Sequence, residues 1–159
     1  EKGVQERISQ LLNNTGKTPV DDFHRRLGRI MWNQCGMSRN AEGLKQAIAD
    51  IQALRAEFEK DVCVPGRSDR YNPELDKAGR VSDLIELGEL MCKDALERNE
   101  SCGGHFREEY RTPDGEALRD DEGHAHVSAW AYTGVPSEAV HHKEELKFEN
   151  VELKTRSYK

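Results

Sequence analysis

The sequence has few apolar residues and no long run of them. Hydrophobic residues make up 35% of its 159 positions and charged residues 34%, which leaves apolar material for one layer of helix packing and little more. The apolar runs are only a few residues long, whereas a helix that spans a bilayer needs about 20. No charged segment followed by an apolar one marks a secretory signal. We therefore expect a small, strongly solvated domain.

The sequence also lacks an excess of positive charge. Its net charge is −6, and residues of both signs are interspersed along the chain rather than grouped into blocks. Proteins that bind nucleic acid do so largely through clustered Lys and Arg side chains that neutralise phosphates. The charge pattern therefore argues against a nucleic-acid partner.

Metal-binding and nucleotide-binding motifs are missing as well. The four cysteines, Cys35, Cys63, Cys92 and Cys102, form no C-x-x-C pair, so they lack the close spacing of zinc and iron–sulfur ligands. We interpret them as reduced, buried thiols. No G-x-G-x-x-G or Walker pattern occurs, and the pair Gly103-Gly104 follows a helical pattern rather than a strand. We therefore expect no cofactor site and no metal site in this chain.

Apolar residues recur at helical spacing in four segments of the first hundred residues. The stripes are Val4, Ile8, Leu11 and Leu12; then Val20, Phe23, Leu27, Ile30 and Met31; then Leu44, Ala47, Ile48, Ile51, Leu54, Phe58 and Val62; and finally Val81, Leu84, Ile85, Gly88, Met91, Cys92 and Ala95. Thr18, Asn40 and Asn72 are typical N-cap residues before the last three segments. Gly88 inside the fourth segment indicates a close helix crossing.

Three long amphipathic helices with short connections predict a mainly α fold, an up-down-up, spectrin-repeat-like three-helix bundle over residues 1–100. The first short helix is expected to pack across one end. Residues 101–159 form the predicted C-terminal extension, with a turn at 112–115 and short β-strands at 126–132, 143–148 and 151–155, the last two paired. Because such strands bury little apolar surface, the extension must pack on the bundle or on a partner.

Two groups of reactive side chains in the extension are candidate sites. His124, His126, His141 and His142 have no carboxylate at a characteristic spacing, so surface histidines in loops are favoured over a metal site. Cys102 and His105 are close enough in sequence for a thiolate–imidazole pair, but nothing identifies an orienting group or an oxyanion hole, so a structural turn is favoured.

Two further interpretations concern charged and aromatic residues. Glu100 and Arg107 flank the glycine turn and are expected to pair across it, weakly if the pair is exposed. The sequence leaves open whether its C-terminal aromatic residues form a docking surface for another chain or cover the bundle. These aromatic residues are Trp130, Tyr132, Phe148 and Tyr158.

Residues 98–110 (RNESCGGHFREEY) resemble the segment that closes the helical domain of the succinate dehydrogenase/fumarate reductase flavoprotein subunit. Residues 79–91 (GRVSDLIELGELM) resemble the helix before that segment, and residues 142–146 through 155–159 resemble the C-terminal tail of the subunit. The resemblance covers essentially the whole chain and is strongest from residue 79 onward. Many members have Arg and Ala where this chain has Cys102 and Gly104, which suggests a different branch of the family.

The resemblance implies a parent subunit that interconverts succinate and fumarate by hydride transfer with a covalently bound FAD. Electrons then pass to an iron–sulfur subunit and on to a membrane quinone site. It further implies that this chain, which begins at Glu1 rather than Met, is a structural C-terminal fragment without catalytic, cofactor-binding or metal-binding residues. Its expected location is the cytoplasmic side of the membrane, as a peripheral part of a respiratory electron-transport complex.

The expected partners are the flavin-binding and capping domains of the same subunit, the iron–sulfur subunit and, indirectly, the membrane cytochrome b/quinone subunit. The predicted interface residues are Glu100, Ser101, Cys102, Gly103, Gly104, His105, Arg107, Trp130 and Tyr132. Two alternatives remain open at this stage. One is a free-standing helical adaptor that binds protein partners, and the other is a small cysteine-dependent enzyme acting through Cys102.

Overall fold

The computed structural model describes residues 2–134, 138–152 and 154, and these form five helices and six short strands. The helices are α1 (Lys2–Asn13), α2 (Val20–Gln34), α3 (Ala41–Asp61), α4 (Pro73–Glu97) and the single turn α5 (Asp121–His124). The strands are β1 (Thr18–Pro19), β2 (Ser38–Arg39), β3 (Val62–Cys63), β4 (Phe106–Arg107), β5 (His126–Ala131) and β6 (Val140–Glu145). The predicted mainly α fold with short strands in its extension is confirmed. None of the helices in the described part is long and apolar enough to cross a membrane.

Two of the three predicted N-caps are present. The side-chain oxygen of Asn40 accepts a hydrogen bond from the Gly43 N–H at 2.8 Å, and that of Asn72 accepts from the N–H groups at the start of α4. The prediction for Thr18 was wrong. Its hydroxyl donates to the carboxylate of Asp61, and its backbone pairs with Val62, so α2 begins at Val20 without a side-chain cap.

Two parallel strand pairs fix the directions of the helices. The pair β1–β3 places the beginning of α2 beside the end of α3, since β1 directly precedes α2 and β3 directly follows α3. The pair β2–β4 likewise brings the beginning of α3 close to the segment that follows α4. Adjacent helices are therefore antiparallel, which confirms the up-down-up bundle. α1 lies against the N-terminal half of α4, where Arg7 Nη2 donates to Asp83 Oδ1 at 2.6 Å.

The core lies between α2, α3 and α4, and the rings of Phe23 and Phe58 meet edge to face with their centroids 5.2 Å apart. Its buried apolar residues are Leu11, Val20, Phe23, Leu27, Cys35, Leu44, Ala47, Ile51, Leu54, Phe58, Val62, Val64, Ala78, Val81, Ile85, Cys92 and Ala95. The predicted stripe of α4 was wrong at Leu84 and Met91, which are exposed. The buried face of α4 is turned so that it includes the carboxylate of Glu89 instead.

The predicted close crossing at Gly88 is confirmed. A Cβ atom on Gly88 would lie 3.3 Å from Met31 Sδ, 3.4 Å from Leu27 Cδ1 and 3.7 Å from Ile51 Cδ1. The absence of a side chain therefore lets α2 and α3 approach the α4 backbone at this point.

In the C-terminal extension, β5 and β6 form an antiparallel hairpin whose register runs from His126 opposite Glu145 to Ala131 opposite Val140. The predicted turn at 112–115 is confirmed by a hydrogen bond from the Gly115 N–H to the Thr112 carbonyl at 2.8 Å. The predicted pairing of 143–148 with 151–155 was wrong, because residues 140–145 pair with β5. Part of the second predicted strand lies outside the described residues.

The strand assignment also corrects the interpretation of the histidines as loop residues. His126 lies in β5, His141 and His142 lie in β6, and His124 ends α5. The division into a bundle at 1–100 and an extension at 101–159 stays a prediction.

Candidate functional site

The segment after α4 folds back so that Arg107 caps the end of that helix. The side chain is 2% exposed, and its Nη1 donates to the carbonyl oxygens of Ala95 at 2.9 Å and Leu96 at 3.2 Å. The last four carbonyl groups of a helix have no partner within the helix, and they carry its partial negative charge. The last turn of α4 contains no basic residue of its own. Arg107 therefore supplies both the hydrogen bonds and the compensating charge.

The remaining contacts of Arg107 connect the end of α4 to the beginning of α3. Its Nε donates to Glu109 Oε2 at 3.1 Å, and its guanidinium lies 5.4 Å from the centre of the Tyr110 ring. Glu109 also accepts a hydrogen bond from the backbone N–H of Ala41, the first residue of α3. Burial raises the pKa of Glu109, but the hydrogen bonds from Ala41 and Arg107 outweigh it, so the pKa is lowered overall. The carboxylate thus stays charged between two helices.

Ser101 and Glu100 complete the buried network. Ser101 Oγ accepts from the Arg107 N–H at 2.8 Å and donates to the Arg107 carbonyl at 3.1 Å. Glu100 Oε1 accepts from Arg98 Nε at 2.8 Å, while its Oε2 accepts from the Asp120 N–H at 2.9 Å. The predicted pair between Glu100 and Arg107 was wrong. Both side chains are buried, and each uses a neighbour two residues away, Arg98 or Glu109, as its ion partner.

The glycine pair belongs to a tight turn, not to the end of the helix. The backbones of Cys102 and His105 exchange hydrogen bonds of 2.8 and 3.0 Å, and Gly103 has a φ of +58°, in the left-handed region that favours glycine. α4 has already ended at Glu97. The chain therefore leaves the helix before these glycines, and the glycines produce the chain reversal that follows.

The imidazole of His105 is held against the backbone. Its Nε2 lies 2.9 Å from the carbonyl oxygen of Arg98. Burial lowers the pKa of His105, and so do the nearby guanidinium groups of Arg39, Arg98 and Arg107, against the favourable hydrogen bond to Arg98. A neutral ring that donates to a carbonyl is suited to fixing the turn, in agreement with the structural interpretation of Cys102 and His105.

The β5–β6 hairpin docks on α4 through Trp130. Its indole Nε1 donates to Asp94 Oδ1 at 2.7 Å, and its ring stacks on His141 with the centroids 4.4 Å apart. Tyr132, in contrast, is 64% exposed and donates its hydroxyl to the carbonyl of Gly134. Trp130 therefore covers the bundle, whereas Tyr132 and the exposed Phe148 face solvent. Tyr158 lies outside the described residues.

Beside this contact, a pocket of about 240 Å³ lies between the end of α4 and the hairpin. It is lined by Asp94, Glu97, Arg98, His124, His126, Val127, Ser128, His141 and Lys143. The ring centroids of His124 and His126 are 5.7 Å apart, and His124 Nε2 accepts a hydrogen bond from the Asn99 N–H. Across the ranges 2–134 and 138–152 and at position 154, no three or more His, Cys, Asp or Glu side chains are grouped so that they could hold a metal ion.

A buried ion cluster was missed by the sequence reasoning. The Glu89 side chain is enclosed between α3 and α4, where Arg55 and Lys93 each lie 2.6 Å from its carboxylate and Gln52 Nε2 donates to it at 3.0 Å. A signal was available, since Lys93 follows Glu89 by four residues on the same helix face. The burial of Glu89 was not predicted, because the predicted buried face of α4 contained no charged residue.

The outer face of α4 and the end of α2 carry exposed apolar side chains. Leu84, Leu87 and Met91 are between 41% and 50% exposed. Trp32, in the last turn of α2, and Met37, three residues after that helix, are more than 80% exposed. Spacings of three and four residues place the α4 side chains on one face of that helix. An apolar face of this kind is typical of a surface that contacts another protein body.

The structure distributes the predicted interface residues over different environments. Glu100, Ser101 and Arg107 are buried within this chain, Cys102, His105 and Trp130 are partly exposed, and Gly103, Gly104 and Tyr132 are exposed. The role of this set in contacting another domain stays a prediction.

Comparison with known proteins gives a consistent result. The family model described as "Fumarate reductase flavoprotein C-term" matches residues 24–158. The chain is 33% identical over 121 residues to the fumarate reductase flavoprotein subunit of Helicobacter pylori, an alignment that spans 76% of this chain and 16% of that protein. The chain thus spans about a sixth of the length of that curated relative.

Two solved structures share the fold. A quinol fumarate reductase of E. coli has a TM-score of 0.74 at 20% identity, covering 97% of this chain and 25% of that chain. The Sdh1 complex of Mycobacterium smegmatis in its apo form has a TM-score of 0.78 at 20% identity, covering 94% of this chain and 24% of that chain. The helical bundle with its folded-back extension, together with the family match over most of the sequence, shows that this chain belongs to the fumarate reductase flavoprotein C-terminal family.

Proposed function

We propose that this chain is the supporting C-terminal domain of a flavoprotein subunit that interconverts succinate and fumarate, with FAD and the dicarboxylate held elsewhere in the protein. Family membership and the names of the relatives support this activity. The catalytic step, hydride transfer between the flavin and the dicarboxylate, is assigned to residues outside this chain. No residue of the described part is given a catalytic role.

The polar side chains that follow α4 bind to other groups within the domain, and this observation supports a structural role. Arg107 donates hydrogen bonds to helix carbonyls and to Glu109, and Ser101 is hydrogen-bonded to the Arg107 backbone. Glu100 is held by Arg98 and by the Asp120 N–H. Side chains with these internal partners are not free to bind a substrate. They instead make the turn from Cys102 to His105 a rigid feature on the surface of the domain.

The proposed partners are the flavin-binding and capping domains of the same subunit, and the iron–sulfur subunit beyond them. The exposed apolar face formed by Leu84, Leu87 and Met91 fits burial against the flavin-binding domain, since such a face is unfavourable in water. The exposed part of the turn, Gly103 and Gly104, together with Tyr132, is proposed as a further contact. Contact with a membrane quinone subunit would be indirect, at the cytoplasmic side of the membrane.

The test compares exposed positions on two faces of the domain in the complete protein. Leu87→Glu and Val4→Glu both introduce a charge at an exposed apolar side chain, on α4 and α1 respectively. We expect Leu87→Glu to lower retained flavin and fumarate reduction by reduced viologen at least tenfold, while Val4→Glu leaves both near the original level. Equal behaviour of the two variants would contradict the proposed docking face.

The activity itself has a separate test. The complete protein is expected to reduce fumarate or oxidise succinate with a flavin absorbance spectrum, and failure with both dicarboxylates would overturn the proposed reaction. If the 159-residue chain alone took up one equivalent of FAD, the assignment of the cofactor to the rest of the protein would be wrong.

A further inference from the structure

One face of the β5–β6 hairpin is turned toward the end of α4. Trp130 lies on this face, since its indole is hydrogen-bonded to a carboxylate of α4. Side chains alternate along a strand, so His126 and Ser128 lie on the same face of β5. The register adds His141 opposite Trp130 and Lys143 opposite Ser128. His126, Ser128, His141 and Lys143 all line the pocket of about 240 Å³ between the hairpin and α4.

Three imidazole rings are neighbours in this pocket. The ring centroids of His124 and His126 are 5.7 Å apart, and those of His126 and His141 are 6.2 Å apart. The outer two rings already have polar partners, because His124 Nε2 accepts from the Asn99 N–H at 3.2 Å and His141 Nε2 lies 2.9 Å from Ser128 Oγ. Within the part of the chain that the structure describes, the ring of His126 makes no hydrogen bond. Both nitrogen atoms of the middle ring can therefore bind a ligand.

Lys143 brings a positive charge into the pocket without a carboxylate to neutralise it. Its ammonium group makes no ion pair with any residue in the described ranges. Arg98, the other permanent cation of the pocket, is paired with Glu100 at 2.7 Å. The charges that shift the pKa of His126 are all positive, with Lys143 first among them. An anion placed between Lys143 and His126 would therefore be surrounded by positive charge.

The carboxylates that line the pocket contact a different part of the hairpin. Asp94 Oδ1 accepts from Trp130 Nε1 at 2.7 Å, and Glu97 Oε2 lies 4.0 Å from His141 Nδ1. Trp130 and His141 are opposite each other, and Lys143 lies two residues farther along β6, a distance of about 7 Å along a strand. The two carboxylates are thus engaged beside the stacked Trp130 and His141 rings, and Lys143 is left to act on a ligand.

The other acidic side chains of the hairpin and of α5 do not line the pocket. Glu145 on β6 is 77% exposed and lies 3.8 Å from Lys147. On α5, Asp121 is paired with Arg119, and Glu122 is exposed. None of these groups competes with an anion inside the pocket.

We propose that this pocket binds a small tetrahedral oxyanion, sulfate or phosphate, between the side chains of Lys143 and His126. Lys143 supplies a permanent charge, and His126 donates a hydrogen bond and adds a second charge when it is protonated. Hydrogen bonds of this charge-assisted kind are stronger than neutral ones. The pocket volume of about 240 Å³ is smaller than the roughly 300–1,000 Å³ typical of sites for larger organic ligands, which favours a small ion. The site is independent of the dicarboxylate chemistry proposed above.

Binding of the anion is coupled to the protonation of His126. Burial lowers the pKa of His126, and so do its positive neighbours. A bound anion offsets the effect of those neighbours and so raises this pKa. Because the coupling is reciprocal, protonation of His126 at lower pH strengthens anion binding by the same factor.

The experiment uses sulfate as its probe, because the charge of sulfate is constant between pH 5 and pH 8 and only the protein then titrates. The histidine ring protons are followed by NMR while sulfate is added at pH 5.5 and at pH 8, with chloride at equal ionic strength as the reference. We expect saturable shifts at His126 and His124, with an affinity about tenfold higher at pH 5.5, the equivalent of one pKa unit. His142 is the internal control, since it is exposed on the outer face of the same hairpin and should respond to sulfate no more than to chloride.

Two lysine variants form a matched pair. Lys143→Gln should weaken sulfate binding about tenfold at both pH values, as expected for the loss of one charge-assisted contact. Lys147→Gln, beyond the end of β6, should leave the affinity unchanged. His126→Gln should retain weak binding and lose its dependence on pH.

The proposal would be overturned if sulfate and chloride shifted the His126 protons equally, or if the affinity were undiminished in Lys143→Gln. The first of these measurements is made on the unaltered protein, so a variant that fails to fold does not decide the outcome. Phosphate must compete with sulfate for the same shifts, and failure to do so would also contradict the proposal. Competition by glycerol phosphate as well would indicate a phosphate group carried on an organic molecule, whereas competition by inorganic phosphate alone would indicate the free ion.

Discussion

The guanidinium Nη1 of Arg107 lies 2.9 Å from the carbonyl oxygen of Ala95, so that the end of α4 is capped by a residue from the next segment of the chain rather than from the helix itself. This contact joins the bundle to the extension, because Arg107 also belongs to β4, which pairs with the strand before α3. The stability of the two parts is therefore coupled through one buried cation.

Replacing Arg107 by Met tests this coupling. The substitution removes the donor from the buried carbonyl of Ala95 and the partly buried carbonyl of Leu96, and it removes the ion partner of Glu109. Losing the partner of buried polar groups costs about 1–3 kcal/mol each, so we expect a total loss of roughly 2–5 kcal/mol in the free energy of unfolding. Urea unfolding followed by circular dichroism measures it.

Arg111→Met is the matched control, since Arg111 is an exposed arginine whose Nε donates to the Glu108 carbonyl nearby. Its loss should cost under about 1 kcal/mol. If Arg107→Met and Arg111→Met lowered the unfolding free energy equally, the capping role of Arg107 would be refuted.

The buried carboxylate of Glu89 predicts a loss of stability in acid. Burial raises the pKa of Glu89, but hydrogen bonds from Lys93, Gln52 and Arg55 outweigh it, and the pKa lies below its ordinary value of 4.5. The folded state therefore binds fewer protons than the unfolded chain, and this stabilisation is complete above about pH 4.5 and is lost as pH falls through the folded pKa.

Urea unfolding between pH 3 and pH 6 follows this effect, with Glu89→Gln as the variant and the exposed Glu59→Gln as the control. Glu89→Gln should be less stable than the parent above pH 4.5, and the difference should shrink as the pH is lowered. A constant difference across that range would show that the charge of Glu89 does not stabilise the fold.

The sequence predicted a helix cap correctly where the capping contacts are local in sequence. Asn40 and Asn72 were correctly identified as N-caps because an Asx cap needs only a few neighbouring backbone groups, all of them local in sequence. Thr18 carries the same local signal, yet its hydroxyl is used by Asp61, far along the chain. Such a long-range contact cannot be read from a window of neighbouring residues.

The extension was less predictable for a similar reason. Strand β6 contains His141, His142 and three charged residues, so it has no alternating apolar pattern, and its pairing with β5 is fixed by the register of the hairpin. The burial of Glu100 and Arg107 was also missed, since charged residues are almost never fully buried unless they are paired. The same segment carries the resemblance to the family, but the hydrogen bonds that it makes within the domain could be identified only from the structure.

The crossing at Gly88 predicts that alanine stabilises the protein at one position of α4 and not at another. At Gly79, where a Cβ would have no heavy atom within 4 Å, Gly79→Ala should raise the unfolding free energy by about 0.5–1 kcal/mol, because glycine is a poor helix former. At Gly88, the added methyl group meets Met31 Sδ at 3.3 Å, so the gain should be largely cancelled.

A larger side chain separates packing from helix propensity. Gly88→Leu should lower the unfolding free energy by about 1–3 kcal/mol through overpacking, while Gly79→Leu should remain stabilising or neutral. Thermal unfolding of the four variants provides the comparison, and a Gly88→Leu protein as stable as Gly79→Leu would mean that the helices do not meet closely there.

His124, His126 and His141 line the pocket beside the hairpin. We predict that the protonation of His126 depends on the charged groups around it. Burial lowers the pKa of His126 below its ordinary value of 6.5, as do the positive charges of Lys143, His124 and His141, with a smaller effect from Arg98. Asp94 and Glu97 line the same pocket from α4. Below pH 6.5 the unfolded chain takes up a proton before the folded state does, so stability should fall with decreasing pH until the folded pKa is passed.

Removing Lys143, whose positive charge has the largest effect among the neighbouring charges, should reverse part of this shift. Lys143→Gln favours the protonated imidazole and is expected to raise the pKa of His126, whereas Lys147→Gln, beyond the end of the hairpin, should leave it unchanged. The chemical shift of the His126 ring proton, followed by NMR between pH 4 and pH 8, reports this pKa directly. An unchanged titration midpoint of His126 in Lys143→Gln would show that the charge of Lys143 does not lower the pKa of His126. The predicted loss of stability in acid could then not be attributed to the charges around His126.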